Sequence, residues 1–189
     1  MSSRRDDRLA DYRAKRDPDR SGEPTGSARE HGSGRFVIQR HDASSLHFDF
    51  RLEIDGVLVS WAVPKGPSTD PGDKRLATRT EDHPVDYVDF EGRIPAEDYG
   101  GGTVIVWDTG RYRNLSERTP TDGLAGGHLK VWLDGKKLTG GYALTHTKMR
   151  GDDRNWLLVK VDDEGADRRR RPASTQPESV LSGRTNADL

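Results

Sequence analysis

The chain contains no cysteine. That excludes disulfides, thiolate metal sites and cysteine nucleophiles, and it fits a reducing compartment. Long apolar runs are also missing. None approaches the ~18 residues of a membrane span, and the N-terminus "MSSRRDDRLADYRAKRD" has no apolar signal core. The expectation is a soluble, cytoplasmic protein with no membrane partner. No sign of charge dominates: 31 Lys and Arg face 32 Asp and Glu, for a formal net charge of −1. Any contact with nucleic acid must therefore use a local basic patch. Hydrophobic residues are scarce, 31% against 33% charged, and mean hydropathy is −0.93. A uniformly packed globule of 189 residues would need more, so part of the chain is expected to be disordered.

What apolar material there is lies in the middle. Residues 1–34 are polar and read as a flexible segment, with Leu9 and Tyr12 three apart allowing a short helix at about 6–15. Residues 162–189 read as a disordered tail. Its Arg168–Arg171 run is taken as solvating, with nucleic-acid contact as the alternative. Residues 35–161 hold nearly all the aromatic and β-branched side chains and form the expected domain. Alternation and Gly/Asp/Pro punctuation mark strands at 35–40, 46–54, 57–63, 74–80, 102–107, 128–134, 140–146 and 154–161. Asp55-Gly56 and Asp134-Gly135 are hairpin signals. The fold class is all-β: about eight short strands favour a small, compact barrel or sandwich.

The stretch "LHFDFRLE" alternates without a break from Leu46 to Glu53. A strand turns successive side chains to opposite faces, so Leu46, Phe48, Phe50 and Leu52 are core. His47, Asp49, Arg51 and Glu53 share the other face. An imidazole and a carboxylate about 7 Å apart along a strand can lean toward one metal ion. A turn could bring His41 to the same place. Two His and one carboxylate suit Mn²⁺, Fe²⁺ or Zn²⁺ with positions open for substrate or water. Arg51 beside a metal is a natural clamp for phosphate oxygens, because its fork donates parallel hydrogen bonds. In "TEDHPVDY", Pro84 makes His83 extended, and Glu81, Asp82, His83 and Tyr87 offer acid, base and hydrogen-bonding groups. "PKGPSTDPGDKRLATRT" supplies Lys65, Lys74, Arg75 and Arg79. The His-x-Asp pair also fits a non-haem iron oxygenase, a reading that explains neither Arg51 nor the basic loops.

The stretch "FVIQRHDASSLHFDFRLEIDGVLVSWAVPKGPSTDPGDKRLATRTEDHPVDYVDFEGRIPAEDYGGGTVIVWDTGRY", with "NWLLVKVDD" and the opening "LADYRAKRDPDRSGEP", resembles the 3′-phosphoesterase domain of bacterial DNA ligase D. The resemblance implies a compact, closed or nearly closed β-barrel and a metal-dependent activity. The metal is typically Mn²⁺, with Co²⁺ or Zn²⁺ as substitutes. It also implies removal of a 3′-terminal ribonucleoside and then of the 3′-phosphate. By position, His41, His47 and Asp49 match the family's metal ligands. Arg51, His83 and Tyr87 match its phosphate-contacting and catalytic positions. Glu81, Lys65 and Arg75 match supporting positions, while Arg16, Asp17 and Glu23 match residues linked to ribonucleoside removal. Implied partners are DNA 3′ ends at primer–template junctions, with separately encoded ligase, polymerase and Ku; the chain is expected to be a monomer. Ser44-Ser45 replace basic residues frequent in the family, which implies weaker hold on the DNA backbone. A non-catalytic DNA-end-binding module is the alternative reading.

Overall fold

The computed structural model describes residues 8–17, 21–24, 34–148 and 151–189. Of the expected flexible segment 1–34, residues 1–7, 18–20 and 25–33 lie outside them, and with them residues 6 and 7 of the expected 6–15 helix. Within that helix, α1 spans Ala10–Ala14 and buries Tyr12. The strands are β1 (Arg35–Asp42), β2 (Leu46–Ile54), β3 (Val57–Val63), β4 (Lys74–His83), β5 (Gly92–Ile94), β6 (Gly102–Asn114), β7 (His128–Asp134), β8 (Thr139–His146) and β9 (Asn155–Lys160). Helix α2 (Pro120–Gly126) precedes β7, and a short turn, α3 (Pro172–Thr175), lies in the C-terminal segment.

The order β1-β2-β3-β4-β9-β8-β7-β6 closes on itself through β6 and β1, and every pairing is antiparallel. The result is an eight-stranded barrel, with β5 added to the start of β6. Asp55 and Gly56 both have positive φ, +55° and +81°, as a two-residue hairpin between β2 and β3 demands. The second expected hairpin differs. Four residues join β7 to β8, and the buried Asp108 carboxylate accepts hydrogen bonds from the backbone N–H groups of Lys136, Lys137 and Leu138. That carboxylate, rather than a tight Asp-Gly turn, shapes the loop.

Inside the barrel, Phe36, Ile38, Phe50, Leu52, Val59 and Trp61 form one cluster with Trp107, Leu133, Leu144 and Leu158. Truncating a buried side chain such as Trp61 to alanine costs about 3–5 kcal/mol. A second cluster lies on the outside of the wall: Tyr12, Val37, Leu58, Tyr87, Val88 and Val106. Strand β2 is consequently buried on both faces over most of its length. Its polar face looks toward the N-terminal segment and the 3₁₀ turn Val85–Asp89 rather than toward open solvent.

Two irregularities shape the wall. In β1–β6, Ile38 faces Asp108 and Gln39 faces Val106, so Trp107 bulges. In β3–β4, Leu58 faces His83 and Ser60 faces Thr80, so β4 carries one extra residue.

The expectation of a disordered tail beyond 162 does not hold. Between its pairings with β5 and β7, β6 leaves residues 105–110 without a strand neighbour on that side. The C-terminal segment covers this edge. Val180 N donates to Val106 O at 3.0 Å, and Trp107 Nε1 donates to Gln176 O at 2.6 Å. Asn186 is buried, donates to the carbonyls of Arg40 and Thr103, and accepts from Arg40 Nη1. Backbone groups buried without partners are costly, and an uncovered edge invites foreign strands. A polar segment is well suited to answering both. Among the described residues no helix is long and apolar enough to cross a membrane.

Candidate metal and phosphate site

Antiparallel pairing of β1 with β2 sets His41 directly opposite His47 and Gln39 opposite Asp49. Side chains opposite each other in such a pair are near neighbours; the two imidazole rings lie 4.7 Å apart. Asp49, two residues along β2, shares that face. Its carboxylate is 3.5 Å from His41 Nδ1 and 3.3 Å from His47 Nε2. One ligand atom from each of the three lies within 4.8 Å of the others.

Outer hydrogen bonds decide which ring nitrogens face inward. His41 Nε2 is 2.7 Å from Gly100 O, and His47 Nδ1 is 3.4 Å from Ser45 O. A carbonyl only accepts, so each of these nitrogens carries the proton. The opposite nitrogen of each ring then directs a lone pair toward Asp49. Two lone pairs and a carboxylate converging on one point repel unless a cation lies among them. This donor set, with backbone carbonyls orienting the rings, fits a divalent metal. Without one, a proton serves: the hydrogen bond and charge of Asp49 raise the His47 pKa, although burial opposes the shift. Burial would lift the Asp49 pKa, but Arg51 and the two imidazoles hold it well below the usual carboxylate range.

Arg51 is buried beside Asp49, with Nη2 3.4 Å from the carboxylate. Its Nε donates to Gln39 Oε1 at 2.8 Å and its Nη1 to Ser60 Oγ at 2.9 Å. The guanidinium is thus fixed before any ligand arrives. His83 Nδ1 is 3.0 Å from Glu81 O, and Nε2 is 3.3 Å from Arg16 Nη2. Nδ1 is also 3.1 Å from Arg51 Nη1, so a proton on Nδ1 meets the Glu81 carbonyl but faces that guanidinium, while Nε2 accepts from Arg16. Burial, then Arg51 and Arg16, push the His83 pKa well below the ordinary histidine value. The free site therefore holds a neutral His83 between two guanidinium groups.

The N-terminal segment completes the wall. Arg16 donates from Nε to Glu23 Oε2 and from Nη1 to Glu81 Oε1, both at 3.0 Å. Tyr87 Oη donates to Glu23 Oε2 at 2.8 Å, and burial with the Glu23 carboxylate raises the Tyr87 pKa well above its usual value. The Tyr87 hydroxyl thus points at Glu23. Together these groups enclose a pocket of about 260 Å³, whose lining includes His41, His47, Asp49, Arg51, His83 and Tyr87. Arg16, Glu81 and Tyr99 line it as well.

Of the residues singled out from sequence, Asp17 is exposed and outside the pocket lining. Lys65 and Arg75 line a different pocket. Gln39 and Ser60, which hold Arg51, were not singled out. Ser60 interrupts the apolar run "VLVSWAV" and Gln39 closes the run "FVIQ"; a polar residue at such a place is the signal that could have found them.

The family model described as the DNA Ligase D 3′-phosphoesterase domain matches residues 39–146. This chain belongs to that family. It is 51% identical over 182 residues to the "Multifunctional non-homologous end joining protein LigD" of Pseudomonas aeruginosa, a match covering 94% of this chain and 21% of the relative. It is 39% identical to the protein of the same name from Mycolicibacterium smegmatis, covering 94% of this chain and 23% of that one. A Mycobacterium tuberculosis "Multifunctional non-homologous end joining DNA repair protein LigD" is 45% identical over 160 residues, 84% of this chain and 20% of the relative. The chain thus spans about a fifth of the length of the curated relatives it matches. The 3′-phosphoesterase match covers both histidines, Asp49, Arg51, His83 and Tyr87.

Proposed function

We propose that this chain is a metal-dependent phosphoesterase that heals DNA 3′ ends. It removes a 3′-phosphate, and a 3′-terminal ribonucleoside, to leave a 3′-OH for repair and end joining. The observation that carries this reading is the convergence of His41, His47 and Asp49 beside the fixed Arg51 guanidinium. These three residues would hold the ion, Mn²⁺ by family resemblance. The ion would supply Lewis-acid polarisation of a phosphoryl oxygen and a more acidic water.

The protein's own groups have separable tasks. Arg51, already held by Gln39 and Ser60, needs no reorganisation to meet charge developing on the phosphoryl oxygens, where preorganised donors act most strongly. His83 is neutral while flanked by Arg16 and Arg51. A bound phosphate dianion reverses that field, favouring a proton on Nε2 where the leaving oxygen can take it. Tyr87 packs against His83, ring centroids 4.8 Å apart, and orients the imidazole. Arg16 and Glu23 tie the N-terminal segment to this wall and serve the ribonucleoside-removing step. DNA backbone contacts give salt-dependent affinity with little sequence preference. Primer–template 3′ ends are the substrate, with separately encoded ligase, polymerase and Ku as partners in the repair, and the protein acts as a cytoplasmic monomer.

The test is a gel assay with a 5′-labelled primer–template carrying a 3′-phosphate or one 3′-terminal ribonucleotide. Incubations with Mn²⁺, with EDTA and with His47→Ala protein accompany each substrate. Mn²⁺-dependent appearance of 3′-OH, lost in the variant, is expected. No conversion of either end with any divalent metal would leave a DNA-end-binding module instead.

A further inference from the structure

A second pocket, of about 480 Å³, lies on the other side of β2. Alternation along the strand explains its place. His47 and Asp49 face the metal-site pocket, while Leu46 and Phe48 line the second. Ala43 and Ser44, in the turn between β1 and β2, line the metal-site pocket, and Arg40 and Leu46 on either side of that turn line the second.

The second pocket is cationic. Arg40, Lys65, Arg75, Arg170 and Arg171 line it, and no carboxylate is among its lining residues. Among the described residues the buried Nε atoms of Arg40 and Arg75 have no hydrogen-bond partner, although Arg40 Nη1 donates to Asn186 Oδ1 and Arg75 Nη2 lies 3.6 Å from the Asp73 carboxylate. Lys65 and Arg171 are exposed. The floor and sides are apolar, from Phe48, Pro64, Pro67, Pro172 and Ala173. Two of the five cations and two of these apolar residues belong to the C-terminal segment. That segment is seated closely: a Cβ on Gly66 would come within 2.8 Å of Ala173 Cβ.

We infer that this pocket takes a backbone phosphate, with its sugar, of the DNA whose 3′ end enters the metal-site pocket, and that the C-terminal segment thereby forms part of the substrate-binding surface. Charge complementarity carries the inference. Five cations against one neighbouring carboxylate, Asp73, 3.6 Å from Arg75 Nη2, leave an excess of positive charge that suits a phosphodiester, and an apolar floor suits the deoxyribose beside it. The volume exceeds what a lone phosphate fills. A polyanion spanning the β1–β2 turn engages both pockets at once, which a small anion cannot. This inference rests on the proposed function for the identity of the strand, but the pocket can be tested by binding alone.

A 5′-fluorescent primer–template ending in 3′-OH is titrated in EDTA, so that no turnover is involved, at several salt concentrations. The proteins are wild type, Arg171→Gln, Lys65→Gln and Arg168→Gln. Arg168 removes the same charge from the same segment, but it pairs with Asp70 at 3.0 Å and is not among the pocket's lining residues. Arg171→Gln and Lys65→Gln are each expected to weaken binding several-fold at low salt and to lower the salt slope by about 0.7–0.9 per lost contact. Arg168→Gln keeps the wild-type slope. Thermal melts confirm that the variants are folded, and Lys65, being exposed, is replaced without disturbing packing. Equal slopes for Arg171→Gln, Lys65→Gln and Arg168→Gln would overturn the inference. Failure of the phosphoesterase assay with these binding differences intact would overturn the function while leaving the pocket assigned.

Discussion

Arg51→Lys is conservative in charge and severe in geometry. Three oxygen acceptors hold the guanidinium, Gln39 Oε1, Ser60 Oγ and the Asp49 carboxylate, and its Nη1 also lies 3.1 Å from His83 Nδ1. An ammonium on a shorter, pointlike head reaches one or two of these and cannot span all three. Two losses follow. Gln39 Oε1 or Ser60 Oγ is left buried without its donor, at a cost of about 1–3 kcal/mol. For a chain of this size that lowers Tm by about 2–4 °C per kcal/mol. The developing charge on the phosphoryl group also loses a preorganised donor, about 10²–10³ in kcat. The assay is steady-state release of phosphate from a 3′-phosphorylated primer–template at saturating DNA and Mn²⁺, beside a thermal melt. A rate fall of at least ~100-fold with a Tm drop of only a few degrees supports the clamp. Turnover within about threefold of wild type in a folded Arg51→Lys protein would refute it, because the charge would then suffice without the fork.

His47→Ala should abolish stoichiometric Mn²⁺ uptake measured by calorimetry; retention of one tightly bound ion would show that the ligands lie elsewhere. In wild type, Mn²⁺ affinity should rise with pH, because binding displaces the proton that Asp49 favours on His47; a flat profile from about pH 6 to pH 8 speaks against it. His83 has a depressed folded pKa, so the unfolded chain binds a proton below about 6.5 that the folded site refuses. Stability is therefore lost as pH falls through that range toward the folded value, whereas His47, with a raised pKa, has the opposite dependence. His83→Gln removes the first effect alone, so the Tm advantage of wild type over this variant should shrink from about pH 7.5 to pH 5, and a constant difference contradicts the assignment. Asn186→Ala leaves the part-buried Arg40 carbonyl and the buried Thr103 carbonyl short of a donor, and a loss of about 1–3 kcal/mol in a urea melt is expected; an unchanged midpoint would mean that the C-terminal segment is not held there.

The barrel was legible because its signals are local. Strict alternation marked β2, and the exposed turn chemistry of Asp55-Gly56 fixed its hairpin with β3. Strand β5 was not legible, since three residues, Gly92–Ile94, gain their conformation only from the start of β6. Beyond Trp107, β6 continues through the polar "DTGRYRN", which composition alone reads as loop. The C-terminal segment was misread for a related reason. Several of its ties are made by main-chain groups, such as the carbonyls of Gln176 and Glu178 that receive Lys137 Nζ, and main-chain groups leave no trace in residue type. At the site, His41, His47, Asp49 and Arg51 were legible as chemistry. Their supports, Gln39, Ser60 and the Gly100 carbonyl, were not, because a supporting role depends on which strand lies opposite.

The extra residue in β4 acts as a reading frame for the pocket. In an unbroken strand Thr80 and Asp82 would share a face, and His83 would turn away from it. With the bulge, Thr80, Glu81 and His83 all line the pocket, and Asp82 is released to Arg8 and Arg79. Deleting Glu81 would leave Thr80 and His83 two apart on the pocket face, opposite Ser60 and Leu58. It would remove from the pocket the carboxylate that pairs with Arg16 and Lys15, making the pocket more cationic. Length in this strand is thus under chemical as well as structural control: the one extra residue lets a carboxylate and an imidazole enter the pocket side by side.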